Sequence, residues 1–130
     1  MIVVDASAAL ELLLDTEAGR AVAERLLVPG ESMHAPHLLD VEVAYAVRRY
    51  VAVGEVDEEK GAEALSDLLD LPVERYPHAL LLPRAWELRR SISTYDAMYV
   101  ALAELLGVPL ATRDARLARS HGHHARIELL

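Results

Sequence analysis

Apolar and polar positions alternate along the chain in blocks rather than singly. Ile2 to Val4 is a β-branched run closed by Asp5, the pattern of a short strand buried on both faces, and such strands lie in the middle of a sheet. Residues 7 to 14 and 18 to 27 then mix Ala and Leu with acids in helical fashion, until Pro29-Gly30 breaks the pattern. Met33 to Ala35 predicts a second strand with Pro36 as punctuation, and the stretch from His37 to Val53 predicts a helix that stops at Gly54. Leu38, Val41 and Tyr45, continued by Ala44 and Arg48, recur at spacings of three and four, so Glu42 lies beside an apolar stripe.

Asp57 is a suitable N-cap, with Glu58 and Glu59 in the first turn of a helix running to about Asp70 and ended by Pro72. Val73 to Tyr76 predicts a third strand. Residues 78 to 91 predict a helix with Leu82 and Trp86 on its core face, although Pro83 requires either a kink or a later start. Ser93 or Thr94 caps a strongly helical segment, Tyr95 to Leu106, that stops at Gly107. Val108 to Thr112 predicts another strand, followed by a short helix at 115 to 119 and a last strand at Ile127 to Leu129. Strands alternating with helices predict an α/β fold. The expected form is three layers: a mostly parallel sheet of four to five short strands with helices on both faces.

Length and composition narrow the picture. A chain of 130 residues, 53% of them hydrophobic and 26% charged, suits one domain over 1–130 with a sizeable core. No apolar run reaches the roughly 18 residues of a membrane span, and Met1 leads into Ile2 without a basic leader. The expected location is the cytoplasm. There is no Cys, which removes thiol nucleophiles, thiolate metal sites and disulfides. Asn and Gln are also absent, and 12 Arg stand against one Lys. The net charge of −8 argues against strong nonspecific binding to nucleic acid, but it is unevenly spread. Residues 1 to 75 carry 16 acids against 6 basic residues, whereas residues 76 to 130 carry 5 against 7. An anionic polymer could therefore meet Arg84, Arg89, Arg90, Arg113, Arg116 and Arg119, if the fold gathers them.

In an open parallel sheet, ligands collect at the carboxyl ends of the strands. Asp5 and Asp114 both stand just past such ends, where each can cap the following helix or serve a site. Glu42 and Asp96 each adjoin an apolar helical stripe, and Asp96 lies in a first turn, where free N–H groups favour its ionised form. Four inward carboxylates would repel one another without a cation. A hard divalent ion, Mg²⁺ or Mn²⁺, is the simplest neutralising partner. Tyr95, Tyr99 and Trp86 read as core residues, and His121, His123 and His124 as a surface loop around Gly122.

Four stretches in order carry a family resemblance: Val4-Asp5-Ala6-Ser7-Ala8; Pro36 through Glu42 to Arg48-Arg49; Thr94-Tyr95-Asp96-Ala97 with Tyr99 to Ala103; and Leu110-Ala111-Thr112-Arg113-Asp114. Together they span nearly the whole chain, which resembles the PIN-domain ribonucleases and most closely the VapC-type toxins of toxin–antitoxin pairs. The resemblance implies that Asp5, Glu42, Asp96 and Asp114 form an acidic quartet, supported by Ser7 and Thr112. It implies a metal-dependent endoribonuclease in which Asp5 and Asp96 are the main ligands of Mg²⁺ or Mn²⁺ and Asp114 the next, while Glu42 ligates through water or accepts its proton. Arg116 and Leu117 occupy a stretch where some relatives carry a further acid, which counts against a second ion. RNA contacts are expected first from Arg113 and Arg116. The resemblance also implies a homodimer and a cognate VapB-like antitoxin.

Other readings remain open. A receiver domain needs a lysine at a strand end, but Lys60 falls in a predicted helix; a haloacid-dehalogenase-like phosphatase needs an acid where Ser7 stands. A PIN-like module that binds RNA or protein without cutting, or a housekeeping RNA-processing nuclease, would share the same motifs.

Overall fold

The computed structural model describes residues 1–130. Five strands, β1 (Ile2–Val4), β2 (Met33–Pro36), β3 (Val73–Tyr76), β4 (Leu110–Thr112) and β5 (Ile127–Leu129), form one sheet in the order β3-β2-β1-β4-β5. Every pairing is parallel, with Val3 opposite His34 on one side and Leu110 on the other. The β-branched run at the start of the chain is thus the central strand. Ile2, Val3 and Val4 are all buried, and since alternate residues point to opposite faces, both faces of the sheet are covered.

Helices α1 (Ala6–Leu13) and α2 (Glu17–Leu26) link β1 to β2, and α3 (Leu38–Ala52) and α4 (Glu58–Asp70) link β2 to β3. The chain then returns past β2 and β1 through α5 (Leu82–Glu87) and α6 (Thr94–Leu106) to reach β4, and α7 (Ala115–Ala118) leads to β5. Right-handed crossovers put α1 to α4 on one face and α5 and α6 on the other. In agreement, α1 packs on α2 and α3, and α6 lies against β1, β2 and β4. Reversal of direction after β3 makes the gap between β1 and β4 the switch point of the sheet. One cluster of 29 buried residues fills both layers, and no helix is long and apolar enough to cross a membrane.

The caps explain most boundaries. Asp5, Asp57, Ser93 and Asp114 each accept a backbone N–H of the helix they precede. Gly107 ends α6 in the left-handed conformation, φ 67°, that favours glycine. Gly19 serves a different need, because a Cβ there would lie 2.3 Å from the Glu11 carbonyl oxygen, so α2 crosses α1 backbone to side-chain-free backbone.

Expectations on three helices need correction. The predicted helix 78–91 is a 3-10 turn, His78–Leu80, and a separate α5 with Pro83 near its N-terminus, where proline's missing N–H costs nothing. Leu82 and Trp86 are not core residues, since both are exposed and Arg89 lies over the Trp86 ring. The buried side of α3 is Leu39, Val43 and Val47, so the stripe Val41 and Tyr45 faces outward. Tyr95 is exposed as well, whereas Tyr99 is buried as expected. His121 to His124 lie in the loop between α7 and β5, and Ser120 Oγ contacts His123 Nε2 at 2.9 Å.

Candidate active site

Four elements begin or end at the same edge of the sheet. Asp5 follows β1 and Asp114 follows β4, on either side of the switch point. Helices α3 and α6 run antiparallel to the strands and start at that edge, which brings Glu42, in the second turn of α3, and Asp96, in the first turn of α6, toward the same gap. Electrostatic coupling between Asp5 and Asp96, between Glu42 and both Asp5 and Asp96, and between Asp96 and Asp114 links all four.

Asp5 is only 6% exposed and is held by three donors. Its Oδ1 accepts from Ser7 Oγ at 2.6 Å and from the Ala8 backbone N–H at 3.0 Å, and its Oδ2 accepts from the Thr112 hydroxyl. Ser7 and Thr112 are themselves fixed from β4 onward: the Arg113 N–H donates to Ser7 Oγ at 2.8 Å, and the Asp114 N–H to Thr112 Oγ1 at 3.0 Å. This network welds the ends of β1 and β4 together. Burial nevertheless raises the Asp5 pKa, because it outweighs the donors and the negative charge of Asp96 adds to it.

Glu42 accepts the Tyr99 phenol at Oε1, 2.7 Å away, leaving Oε2 free. Its pKa is raised by burial first and by Asp96 and Asp5 next, against the lowering effect of the Tyr99 bond. Burial also raises the Asp96 pKa. Asp114 is the exception. Arg116 donates to it twice, from the backbone N–H to Oδ1 at 2.8 Å and from Nη2 to Oδ2 at 3.0 Å, and this holds its pKa below the usual carboxylate range. Arg113 turns its guanidinium to the carbonyl of Leu130, and Arg84 is committed to Glu87 and Glu104, so the six Arg considered above do not form a common free patch.

The donor set is all oxygen, anionic and short of positive charge, which suits a hard divalent cation. No three carboxylates converge as a ready-made cage. These residues therefore fit an ion that keeps several waters and takes one or two carboxylates plus substrate oxygens, as Mg²⁺ does. Beside Glu42 and Ser7 opens an apolar groove of about 540 Å³, walled by Val41, Tyr45 and Tyr95. Neither Tyr99 as the partner of Glu42 nor this groove was visible in the sequence. The i, i+3 spacing of Asp96 and Tyr99 on one helix was the signal that a buried phenol would lie near the acids.

Comparison with known proteins places the chain in a family. Residues 2–121 match the PIN domain. Ribonuclease VapC12 of Mycobacterium tuberculosis is 52% identical over 130 residues, covering all of this chain and 99% of that protein. Ribonuclease VapC1 of the same species is 45% identical over 98% of this chain and 96% of that one. Among solved structures, PAE2754 from Pyrobaculum aerophilum shares the fold with a TM-score of 0.73 at 24% identity, over 97% of this chain and 81% of the other. VapBC2 from Rickettsia felis, solved bound to a DNA fragment from its promoter, gives a TM-score of 0.69 at 15% identity, over 99% and 98% of the two chains. The chain belongs to the PIN-domain family, among its VapC-type members.

Proposed function

We propose that this protein is a divalent-metal-dependent endoribonuclease, the toxin of a VapBC-type pair. What supports the reading is the placement of Asp5, Glu42, Asp96 and Asp114, on four separate elements, at the switch-point edge of the sheet, close enough to act on one another electrostatically. The relatives named ribonuclease VapC support the reaction class.

In this reading Asp5 and Asp96 hold Mg²⁺ or Mn²⁺, with Asp114 as a further ligand. The bound ion supplies polarisation of the phosphoryl group and stabilises charge on the attacking and leaving oxygens. Ser7 and Thr112 keep Asp5 in one orientation, so the ligand does not have to be ordered at the moment of reaction. Glu42 is the general base: Tyr99 fixes Oε1, Oε2 makes no hydrogen bond, and its raised pKa brings it closer to the operating pH than an ordinary carboxylate. Arg116, on leaving Asp114, meets the phosphates of single-stranded RNA, and Arg113 joins it on leaving the Leu130 carbonyl.

The antitoxin is a small VapB-like protein that lays an apolar segment into the groove walled by Val41, Tyr45 and Tyr95, covering the acids beside it. Leu80, Leu82 and Trp86, each exposed on the 3-10 turn or on α5, are available to a homodimer. A protein of this kind works in the cytoplasm, where its RNA and its antitoxin are made.

The test is cleavage of total cellular RNA with Mg²⁺ or Mn²⁺ by the wild type and by Asp5→Asn. Loss of cleavage by at least about 100-fold in the variant, and on chelation, supports the nuclease. Cleavage that survives either change overturns it. RNA binding without cleavage by the wild type would instead identify a non-cutting PIN module.

A further inference from the structure

Among the four carboxylates only Asp114 faces a basic side chain, and its two bonds to Arg116 differ in kind. The bond from the Arg116 backbone N–H to Oδ1, 2.8 Å, is the N-cap of α7 and is fixed by the start of that helix. The bond from Nη2 to Oδ2, 3.0 Å, comes from a side chain that is 82% exposed and has no other acceptor. The guanidinium can leave while the cap stays.

No other cation is positioned to do the same work. Arg113, one residue from Asp114, has its guanidinium on the Leu130 carbonyl, and Asp5 and Glu42 receive hydrogen bonds only from neutral groups. Arg116 also lies close enough to Asp96 to act on it electrostatically. One unit of positive charge, loosely tethered, therefore rests on an edge that is otherwise uncompensated.

We propose that Arg116 is a built-in counter-ion of the acidic edge, which competes with a divalent cation for Asp114 and is released from that carboxylate when the cation binds. This rests on the reading of the edge as a cation site. The strength of the pair sets the size of the effect. Exposed ion pairs of this sort are weak, so the competition amounts to about two- to fivefold in cation affinity. That is too little to block the ion and enough to tune it. Release would also put a free guanidinium beside the edge as the phosphate arrives, tying the two arrivals together.

The experiment is a Mn²⁺ titration of the full chain without RNA, followed by the loss of the free-ion paramagnetic resonance signal. The variants are Arg116→Ala, Arg116→Gln and Arg119→Ala. Arg119 is exposed on the same short segment, so its removal changes net charge equally without touching Asp114. We expect Arg116→Ala and Arg116→Gln each to bind Mn²⁺ about two- to fivefold more tightly than the wild type, with Arg119→Ala unchanged. Unchanged or weaker binding in both Arg116 variants overturns the proposal, as does equal tightening in Arg119→Ala. If the wild type takes up no Mn²⁺ at all, the cation reading of the edge itself fails, and this inference falls with it.

Discussion

The buried phenol of Tyr99 donates to Oε1 of Glu42 across 2.7 Å, tying the candidate general base on α3 to the helix that carries Asp96. The phenol cannot ionise there, since burial and the neighbouring carboxylates push its pKa far up, so it remains a donor at every working pH. Its charge-assisted bond is what keeps the Glu42 pKa from rising further.

Tyr99→Phe should therefore raise the Glu42 pKa, because burial and repulsion by Asp96 and Asp5 remain while the one lowering contact is lost. The acid-side, rising limb of the pH–rate profile for RNA cleavage moves to higher pH, and activity near neutrality falls. The stability cost is small, about 0.5–1.5 kcal/mol. A pH–rate profile that does not move would remove Glu42 from the role of base.

Asp96→Asn should stabilise the metal-free protein at neutral pH. The folded-state pKa of Asp96 is raised above its ordinary 3.8. Its contribution to stability is thus complete below that value and is lost as pH rises through the folded-state pKa. Asn carries no charge to lose, so thermal melts should place the variant above the wild type at pH 7 and bring the two together as pH falls toward 4. Added Mg²⁺ should raise the melting temperature of the wild type by mass action and that of the variant much less.

Thr112→Val removes a hydroxyl that is wholly buried, that donates to Asp5 Oδ2 and that accepts the Asp114 N–H at 3.0 Å. The buried Asp5 carboxylate and the part-buried Asp114 N–H each lose a partner, which should cost about 1–3 kcal/mol in all in urea unfolding. Thr112→Ser keeps the hydroxyl and should recover most of that loss. Cleavage should follow the same order, with Ser well above Val, because the misplaced group is a metal ligand in the proposed mechanism.

Gly19→Ala tests the packing of α2 on α1. Alanine is the better helix former, yet its Cβ would meet the Glu11 carbonyl oxygen at 2.3 Å, and a helix backbone cannot step aside as a side chain can. We expect a net loss of about 1–3 kcal/mol in chemical denaturation. A stabilised variant would mean that α1 and α2 slide apart freely.

Several features of the fold were legible because they are local. The β-branched run Ile2–Val4, the cap Asp57 and the stop at Gly107 state their own conformations through side-chain shape and short-range hydrogen bonds, whereas the structure chose Ser93 over Thr94 as the cap of α6. The alternation of strands and helices then implied a parallel sheet, and a parallel sheet implied that Asp5 and Asp114 would share an edge. Failures came where the local pattern was ambiguous about direction. The spacing of Leu38, Val41 and Tyr45 marks a helix face as clearly as that of Leu39, Val43 and Val47 does, and only the position of the sheet selects which of the two is buried. Trp86 and Tyr95 read as core residues from their aromatic character within helical segments, but the helices that carry them turn those positions to solvent.

By itself, then, the order of residues determined most of the elements, the central strand and the identity of four acids in motifs of a known family. The tertiary structure decided what those acids experience. Depth, neighbours and donors are properties of a packed interior rather than of a chain, so only there do Asp5, Glu42 and Asp96 become reluctant anions while Asp114 stays charged under the guanidinium of Arg116.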